Sequence, residues 1–369
     1  MSYELLTLDA LILVSKCVKK VSSLSETRHQ IEREDIMLPD AFHCYLVKKT
    51  GKNQIHAAVD RRPMHELPAG EVTIRVAYSS VNYKDAMAAK GHPGVARQFP
   101  HVPGIDAVGT VAQSSDRGFQ TGDQVLVTSY GLGVEHWGGW SQYVRVPADW
   151  VLPLPRELSM TDSMILGTAG LTAGLCVQAL GNHEVAPSTG EVLVTGATGG
   201  VGSLAVMLLA KLGYTVVAVS GKSNRTDWLR RLGAAEVIGR QQVLDDSKRP
   251  LLNARWAGVV DTVGGSMLAS LLRSVENEGC VAACGVVGGD RLDTSVYPFI
   301  LRGVTLRGID SAWCPMQRRR AVWNLLAGEW RLDSLASISD TICLSDLADK
   351  VDQILAGGNV GRTIVDVQR

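Results

Sequence analysis

EVLVTGATGGVGSLAVMLLAKLG, residues 191–213, is the stretch whose reading decides the fold. Val192, Leu193 and Val194 form a short apolar run of the kind found in strands buried on both faces. Gly196, Gly199, Gly200 and Gly202 follow at once. Val201, Leu204, Ala205, Leu208, Leu209 and Leu212 then recur at helical spacing, and Gly213 stands where a left-handed helix cap would sit. The stretch therefore reads as strand, glycine turn, helix. The Gly196-x-x-Gly199-x-x-Gly202 spacing is a variant dinucleotide fingerprint. One glycine permits the tight turn, one lets a pyrophosphate approach the backbone, and one lets helix and strand pack closely, with the helix N-terminus facing the phosphates. Thr198, Gly199, Gly200 and Val201 are the expected phosphate contacts.

Working outward, TVVAV (215–219) reads as a second strand, and DWLRRLGAAEVI (227–238) as helix, Gly233, strand. Apolar strands recur at GVVDTVGG (258–265), GCVAACGVVGG (279–289) and GVTLRGID (303–310). Together they predict an α/β domain with a doubly wound parallel sheet. In such a sheet the ligand lies at the carboxyl ends of the strands, which places Thr262, Gly264, Gly285, Val286 and Ser311 near it. The second strand ends Ser220-Gly221-Lys222-Ser223-Asn224-Arg225, with no carboxylate before Asp227. A site for a free ribose 2′-hydroxyl usually places Asp or Glu there, whereas bases and short polar side chains suit a 2′-phosphate. The cofactor expected is NADPH, held by Ser220, Gly221 and Lys222.

The 369 residues suffice for two domains; 46% are hydrophobic and 20% charged, with zero net charge, which gives no bulk attraction to nucleic acid or an anionic membrane. No apolar run approaches the ~18 residues of a membrane span. Glu4 and Asp9 near the start argue against a secretory signal, and six acidic residues in the first 35 against a mitochondrial presequence. The seven cysteines are scattered, with no C-x-x-C pair, so the expectation is a reducing, cytoplasmic compartment and no structural zinc. The run Arg318-Arg319-Arg320 reads as a solvated helix face.

Residues 1–41 read as an N-terminal extension, with a helix possible over 5–18. From Phe42 the texture becomes β-rich: FHCYLVKK, a turn at Gly51-Lys52-Asn53, IHAAVD, EVTIRVAYSSVNY (71–83), and further strands at 108–113, 123–129 and 140–147, punctuated by glycine. This predicts a compact, barrel-like domain. A small-residue helix over 161–180 links it to the nucleotide domain. Helices at 318–326 and 347–355 and a strand at 361–367, returning to the β domain, close the chain.

Eight motifs in this order carry a family resemblance: SSVNYKDAM (79–87), FPHVPGIDAVGTV (99–111), GLGVEHWGGW (131–140), LGTAGLTA (166–173), VTGATGGVGS (194–203), WAGVVDTVGG (256–265), CVAACGVVGG (280–289) and PFILRGVTLRGIDS (298–311). From about Phe42 to its end the chain resembles the medium-chain dehydrogenase/reductase superfamily, and within it the acrylyl-CoA reductase branch, also known as YhdH/YhfP-type quinone oxidoreductases. The resemblance implies a Rossmann domain over 168–315 and a GroES-like catalytic domain over 42–167, completed by 316–369. It also implies NADPH-dependent reduction of a conjugated C=C, most specifically acryloyl-CoA to propanoyl-CoA. The alternatives are a quinone or alkenal reductase and a non-enzymatic NADPH-binding protein. It further implies a CoA thioester substrate and a homodimer, paired near 296–310.

Zinc enzymes of the superfamily carry a Cys where this chain has Asn82-Tyr83 and a His-Glu pair where it has Ile105-Asp106, so a metal-bound alkoxide is not expected here. Reduction of a conjugated C=C requires instead a hydride at the β-carbon, donors for the developing enolate, and a proton at the α-carbon. The resemblance assigns Tyr83 a contact near the nicotinamide and a candidate proton donor's role; its alternative is ring packing. Asn82 is the second candidate donor or a turn organiser. Asp85 and Lys84 read as structural, and Asp106 either orients the loop around Tyr83 or is structural. His136 reads as a turn residue packed on aromatics, or as an acid. Arg240 reaches the adenosine side, Val286, Ile300 and Ser311 line the cofactor, and Arg362, less so Arg302, is the candidate for a CoA phosphate or thioester oxygen. The chain departs from the branch at Ser129-Tyr130, Val134-Glu135 and Lys222, which leaves NADPH use intact and alters the acyl pocket.

Overall fold

A computed structural model describes residues 38–51 and 54–369; the helix expected over 5–18 and part of the turn at 51–53 lie outside the described residues. Residues from Pro39 to the C-terminus form one compact unit. It opens with an antiparallel hairpin of β1 (Ala41–Lys49) and β2 (Ile55–Pro63), in register from Ala41 opposite Pro63 to Lys49 opposite Ile55. β3 (Val72–Ser80), β4 (Asp106–Ser114), β5 (Gln124–Thr128), β6 (Tyr143–Val146) and β7 (Leu152–Pro153) follow. Val72, Ile74 and Val76 alternate inward along β3 and are fully buried, as expected of a strand with one face on a core.

The strand expected through Tyr83 stops at Ser80. Asp85 accepts the Asn82 backbone N–H at 2.8 Å and starts a short helix, Tyr83–Ala89. Acidic capping of an exposed backbone donor at a helix start outweighs the β propensity of Val81 and Tyr83.

The nucleotide half contains β8 (Glu191–Val194), β9 (Thr215–Val219), β10 (Glu236–Ile238), β11 (Trp256–Asp261), β12 (Val275–Ala283) and β13 (Thr305–Gly308). All pair in parallel in the order β10-β9-β8-β11-β12-β13. The strand order reverses between β8 and β11, which is where a doubly wound sheet opens a ligand crevice. Helix Gly200–Lys211 sets Leu204, Ala205, Leu208 and Leu209 fully inside; each leucine so buried contributes about 1.5–3 kcal/mol. β14 (Ser339–Cys343) and β15 (Arg362–Asp366) return the chain to the first sheet, where β15 pairs antiparallel with β3.

Helix Met160–Asn182 runs between the halves. Among the described residues it is long and apolar enough to cross a membrane, contrary to the reading of the sequence, yet most of it is packed inside the protein. Its apolar residues surround it on all sides because sheets and helices do too. Gly167 breaks it at φ +49°, and a Cβ there would stand 2.5 Å from an Asp106 carboxylate oxygen.

Candidate active site

The glycine turn has the geometry a pyrophosphate needs. Gly196 has φ +56°, a conformation that L side chains rarely adopt. A Cβ at Gly202 would strike the Gly196 carbonyl oxygen at 2.3 Å, so helix and strand approach as closely as the spacing predicts. Gly200 opens the helix, and Thr198, Gly199 and Val201 stand around its N-terminus, where free backbone N–H groups attract anions. Across the crevice, Thr262 locks to β8 by donating its hydroxyl to the Thr195 carbonyl at 2.9 Å. Buried Asp261 accepts from the Thr195 hydroxyl at 2.7 Å and the Gly264 N–H at 2.8 Å; burial pushes its pKa above the usual carboxylate range.

At the end of β9 the cations expected from the sequence converge. The Ser220 hydroxyl accepts the Lys222 backbone N–H at 2.9 Å. The Arg240 guanidinium lies across Gly221, where a Cβ would meet its Nε at 2.7 Å. Burial, then Arg225 and Arg240, hold the Lys222 ammonium below its ordinary pKa. The lysine and arginine ion pairs among the described residues lie elsewhere. Three like charges without a carboxylate fit a doubly charged phosphate. The sequence reading missed Asn359 and Gly361, which close this end. The Lys222 ammonium donates to the Asn359 carbonyl oxygen, and the Gly361 N–H donates to the Thr198 carbonyl at 2.9 Å. The Asn359 Oδ1 atom is buried without a partner among the described residues, an acceptor free for a bound nucleotide. The residues present thus fit NADPH.

The second cluster lies under the barrel loops and is fully engaged. Asp106 Oδ1 accepts from the Thr168 N–H at 2.9 Å and its hydroxyl at 2.6 Å; Oδ2 accepts from the Ser80 hydroxyl at 2.6 Å and the Asn82 amide at 2.9 Å. Asp85 accepts from Asn82, from Ile105 N–H at 2.8 Å and from Gly104 N–H at 3.2 Å, so both acids organise loops. Burial, then the Asp106 charge, push the Asp85 pKa up to about 7. The Ser129 hydroxyl donates to the Thr168 hydroxyl at 2.8 Å, since that hydroxyl's own proton faces Asp106.

Four expectations need correcting. Arg362 is not at a cleft mouth: it is 3% exposed. It donates to the Ile165 carbonyl at 2.7 Å and Asn82 Oδ1 at 3.0 Å, 3.9 Å from Asp106, with its guanidinium beneath Gly200. Burial lowers its pKa. Arg362 is therefore a bolt between the returning strand and the glycine turn, and a CoA group does not reach it. Asn82 has no donor left for an enolate, because its amide N–H groups face Ser80, Asp85 and Asp106. Ile300, 68% exposed, stands two residues before Arg302. Arg302 donates to the carbonyls of Leu252, Arg273 and Val275 at the amino ends of β11 and β12, so Arg302 is structural and no CoA group reaches it. Arg319 is buried and donates to Thr128, Ser311 and Ala312 over the Tyr130 ring, so only its neighbours form a surface of the helix Met316–Ala327.

Tyr83 is 43% exposed, with no hydrogen bond to its phenol among the described residues. Val286 is exposed at the carboxyl end of β12. Ser311 follows β13 and its hydroxyl donates to the Thr172 hydroxyl at 2.7 Å, since that hydroxyl's own proton faces the Thr168 carbonyl. His136 is the turn residue packed on an aromatic: its ring meets Trp150 edge-on and pairs with the Arg145 carbonyl, and burial lowers its pKa. Among the described residues no group of three His, Cys, Asp or Glu side chains is placed to hold a metal.

Residues 68–156 match the alcohol dehydrogenase GroES-like domain family, and residues 200–327 the zinc-binding dehydrogenase family. The chain is 46% identical over 320 residues to the acrylyl-CoA reductase AcuI of Ruegeria pomeroyi, covering 87% of this chain and 96% of that one. The chain belongs to the medium-chain dehydrogenase/reductase superfamily. It is also 48% identical over 301 residues to the quinone oxidoreductase YhfP of Bacillus subtilis, covering 81% of this chain and 91% of that one. The YhfP structure, solved with NAD bound, superposes with a TM-score of 0.86. The YhdH oxidoreductase of Salmonella enterica, solved in complex with NADP, superposes with a TM-score of 0.85 at 44% identity, covering 88% of this chain and 99% of that one. The superfamily and its acrylyl-CoA reductase branch are those the motifs indicated.

Proposed function

We propose that this protein reduces a conjugated C=C with NADPH and without zinc, and that its reaction is acryloyl-CoA to propanoyl-CoA. The observation that carries the reading is the acid-free trio of Lys222, Arg225 and Arg240 at the end of β9, in a chain whose relative over nearly its full length is an acrylyl-CoA reductase. Bound NADPH supplies the hydride. The glycine turn orients its pyrophosphate, and Lys222, Arg240 and the Asn359 amide hold its adenosine end. The Asp106–Asn82–Arg362 cluster fixes the loop that presents Tyr83. The Tyr83 phenol is then the group left to contact the nicotinamide side of the cleft. Arg362 acts from below, adding fixed positive charge at the turn.

A second reading, a quinone reductase, is favoured by the similarity to YhfP. NADPH oxidation followed with acryloyl-CoA, a naphthoquinone and a free enone separates the two. A kcat/KM for acryloyl-CoA well above the others is expected, and turnover of quinone but not thioester overturns the reading. The domain boundaries proposed are 42–167 with 316–369, and 168–315. We also propose a homodimer, because β13 is a free sheet edge and Val296, Tyr297, Ile300 and Leu301 expose apolar surface beside it. Sedimentation at twice the chain mass is expected. The free thiols Cys44, Cys176, Cys280, Cys284, Cys314 and Cys343 support a cytoplasmic location.

A further inference from the structure

With Arg362 and Arg302 buried among carbonyls, the cations for a CoA thioester must lie elsewhere. A cavity of about 260 Å3 opens where the carboxyl end of β13 meets helices Met160–Asn182 and Met316–Ala327. Leu175, Arg307, Asp310, Trp313, Cys314 and Arg318 line it. Arg318 is oriented by its Nε donating to Gln178 Oε1 at 3.0 Å, which leaves its two terminal nitrogens for a ligand. Arginine ion pairs among the described residues occur at Arg62, Arg230, Arg255, Arg273 and Arg362, not at Arg307 or Arg318. Asp310, the acid in the lining, accepts the Trp313 backbone N–H at 3.1 Å. The Trp313 indole is 58% exposed and held by one edge against Tyr130, at 6.0 Å and 77°. An exposed indole beside two unpaired guanidiniums is a recognition surface for a phosphorylated purine.

Its size and place narrow the ligand. The volume is below the ~300–1,000 Å3 of a site that encloses a whole ligand, so it takes one end of a longer molecule. Thr168 lies beneath the loop that presents Tyr83, joined to it through Asp106 and Asn82. Leu175 lies seven residues beyond Thr168 on the same helix, two turns or about 10 Å further along. A pantetheine arm spans that interval.

We propose that this cavity takes the 3′-phospho-ADP end of a CoA thioester, with Arg307 and Arg318 on its phosphates and Trp313 against its purine. The proposal rests on the acyl-CoA reading above. The test compares acryloyl-CoA with acryloyl-N-acetylcysteamine, which lacks the nucleotide, in the full chain at saturating NADPH. The kcat/KM ratio of CoA to truncated thioester is expected to fall at least tenfold in Arg307→Glu, and further with Arg318→Ala. Adenosine 3′,5′-bisphosphate is expected to compete with acryloyl-CoA in the wild type, and at least tenfold less well in Arg307→Glu. The Arg307 side chain makes no hydrogen bond or ion pair among the described residues, and its backbone pairing with β12 is independent of side-chain type, so that variant keeps the fold. A wild type that reduces both thioesters, with a ratio that neither variant moves, overturns this proposal alone. A wild type that reduces neither thioester overturns the acyl-CoA reading with it.

Discussion

The two ends of the site are built on opposite principles. At the end of β9, Lys222, Arg225 and Arg240 repel one another without a carboxylate nearby, a cluster that is complete only with an anion bound. Beneath the barrel loops, Asp106, Asp85, Asn82 and Arg362 satisfy one another almost atom for atom. The first region has the electrostatics of a binding site because its charges are unfinished. The second is a scaffold because it is finished: a buried polar network with every member paired holds a single geometry, whereas a partly paired one does not.

The largest way to break this comparison is to unpair the scaffold. Asp106→Ala strands the Arg362 guanidinium and four donors, and a loss of about 3–5 kcal/mol in urea unfolding is expected. A loss below about 1 kcal/mol would mean that the network does not organise the loops. Next, Lys222→Ala with Arg240→Ala removes charge-assisted bonds worth about 1.5–3 kcal/mol each. The preference for NADPH over NADH, measured as a Kd ratio by fluorescence, should fall by about 10²–10⁴-fold. An unchanged ratio would remove the 2′-phosphate role.

The pH dependence of stability sharpens the scaffold side. Asp85 is pushed up to about 7 in the folded chain, while the unfolded carboxyl titrates near ~3.9. The folded state therefore holds the extra proton. Its contribution is full below about pH 4, is lost as the pH rises toward 7, and is flat above. Unfolding midpoints from pH 4 to 8 should decline in that window. Asp85→Asn should flatten the slope while lowering stability throughout, because its amide N–H would face donors. The smallest effect is expected of Tyr83→Phe. Loss of a contact hydroxyl should lower kcat/KM by less than about tenfold, whereas a fall of 10²–10⁴ would make the phenol the general acid.

The parts legible in the sequence were those whose partners are close in the chain. The Gly196–Gly202 turn, the acid-free end of β9 and the final strand at 362–366 all came from local pattern. Arg362 was singled out by its motif and misassigned, because its partners Asn82, Met164 and Ile165 stand some 200 to 280 positions away. Arg319 was hidden inside an arginine run whose other members look outward. Asn359 carried no signal: a lone polar residue between glycine and valine reads as loop.

The sequence by itself determined the doubly wound sheet, the phosphate turn and the choice of a 2′-phosphate, because periodicity, glycine spacing and the sign of nearby charge are properties of contiguous residues. Only the tertiary structure decided which polar side chains remain free to act. Burial and pairing are set by groups brought together from four separate segments: loop 80–85, the start of β4, the break at Gly167 and the start of β15. A donor already directed at a buried carboxylate is chemically silent, whatever its residue type.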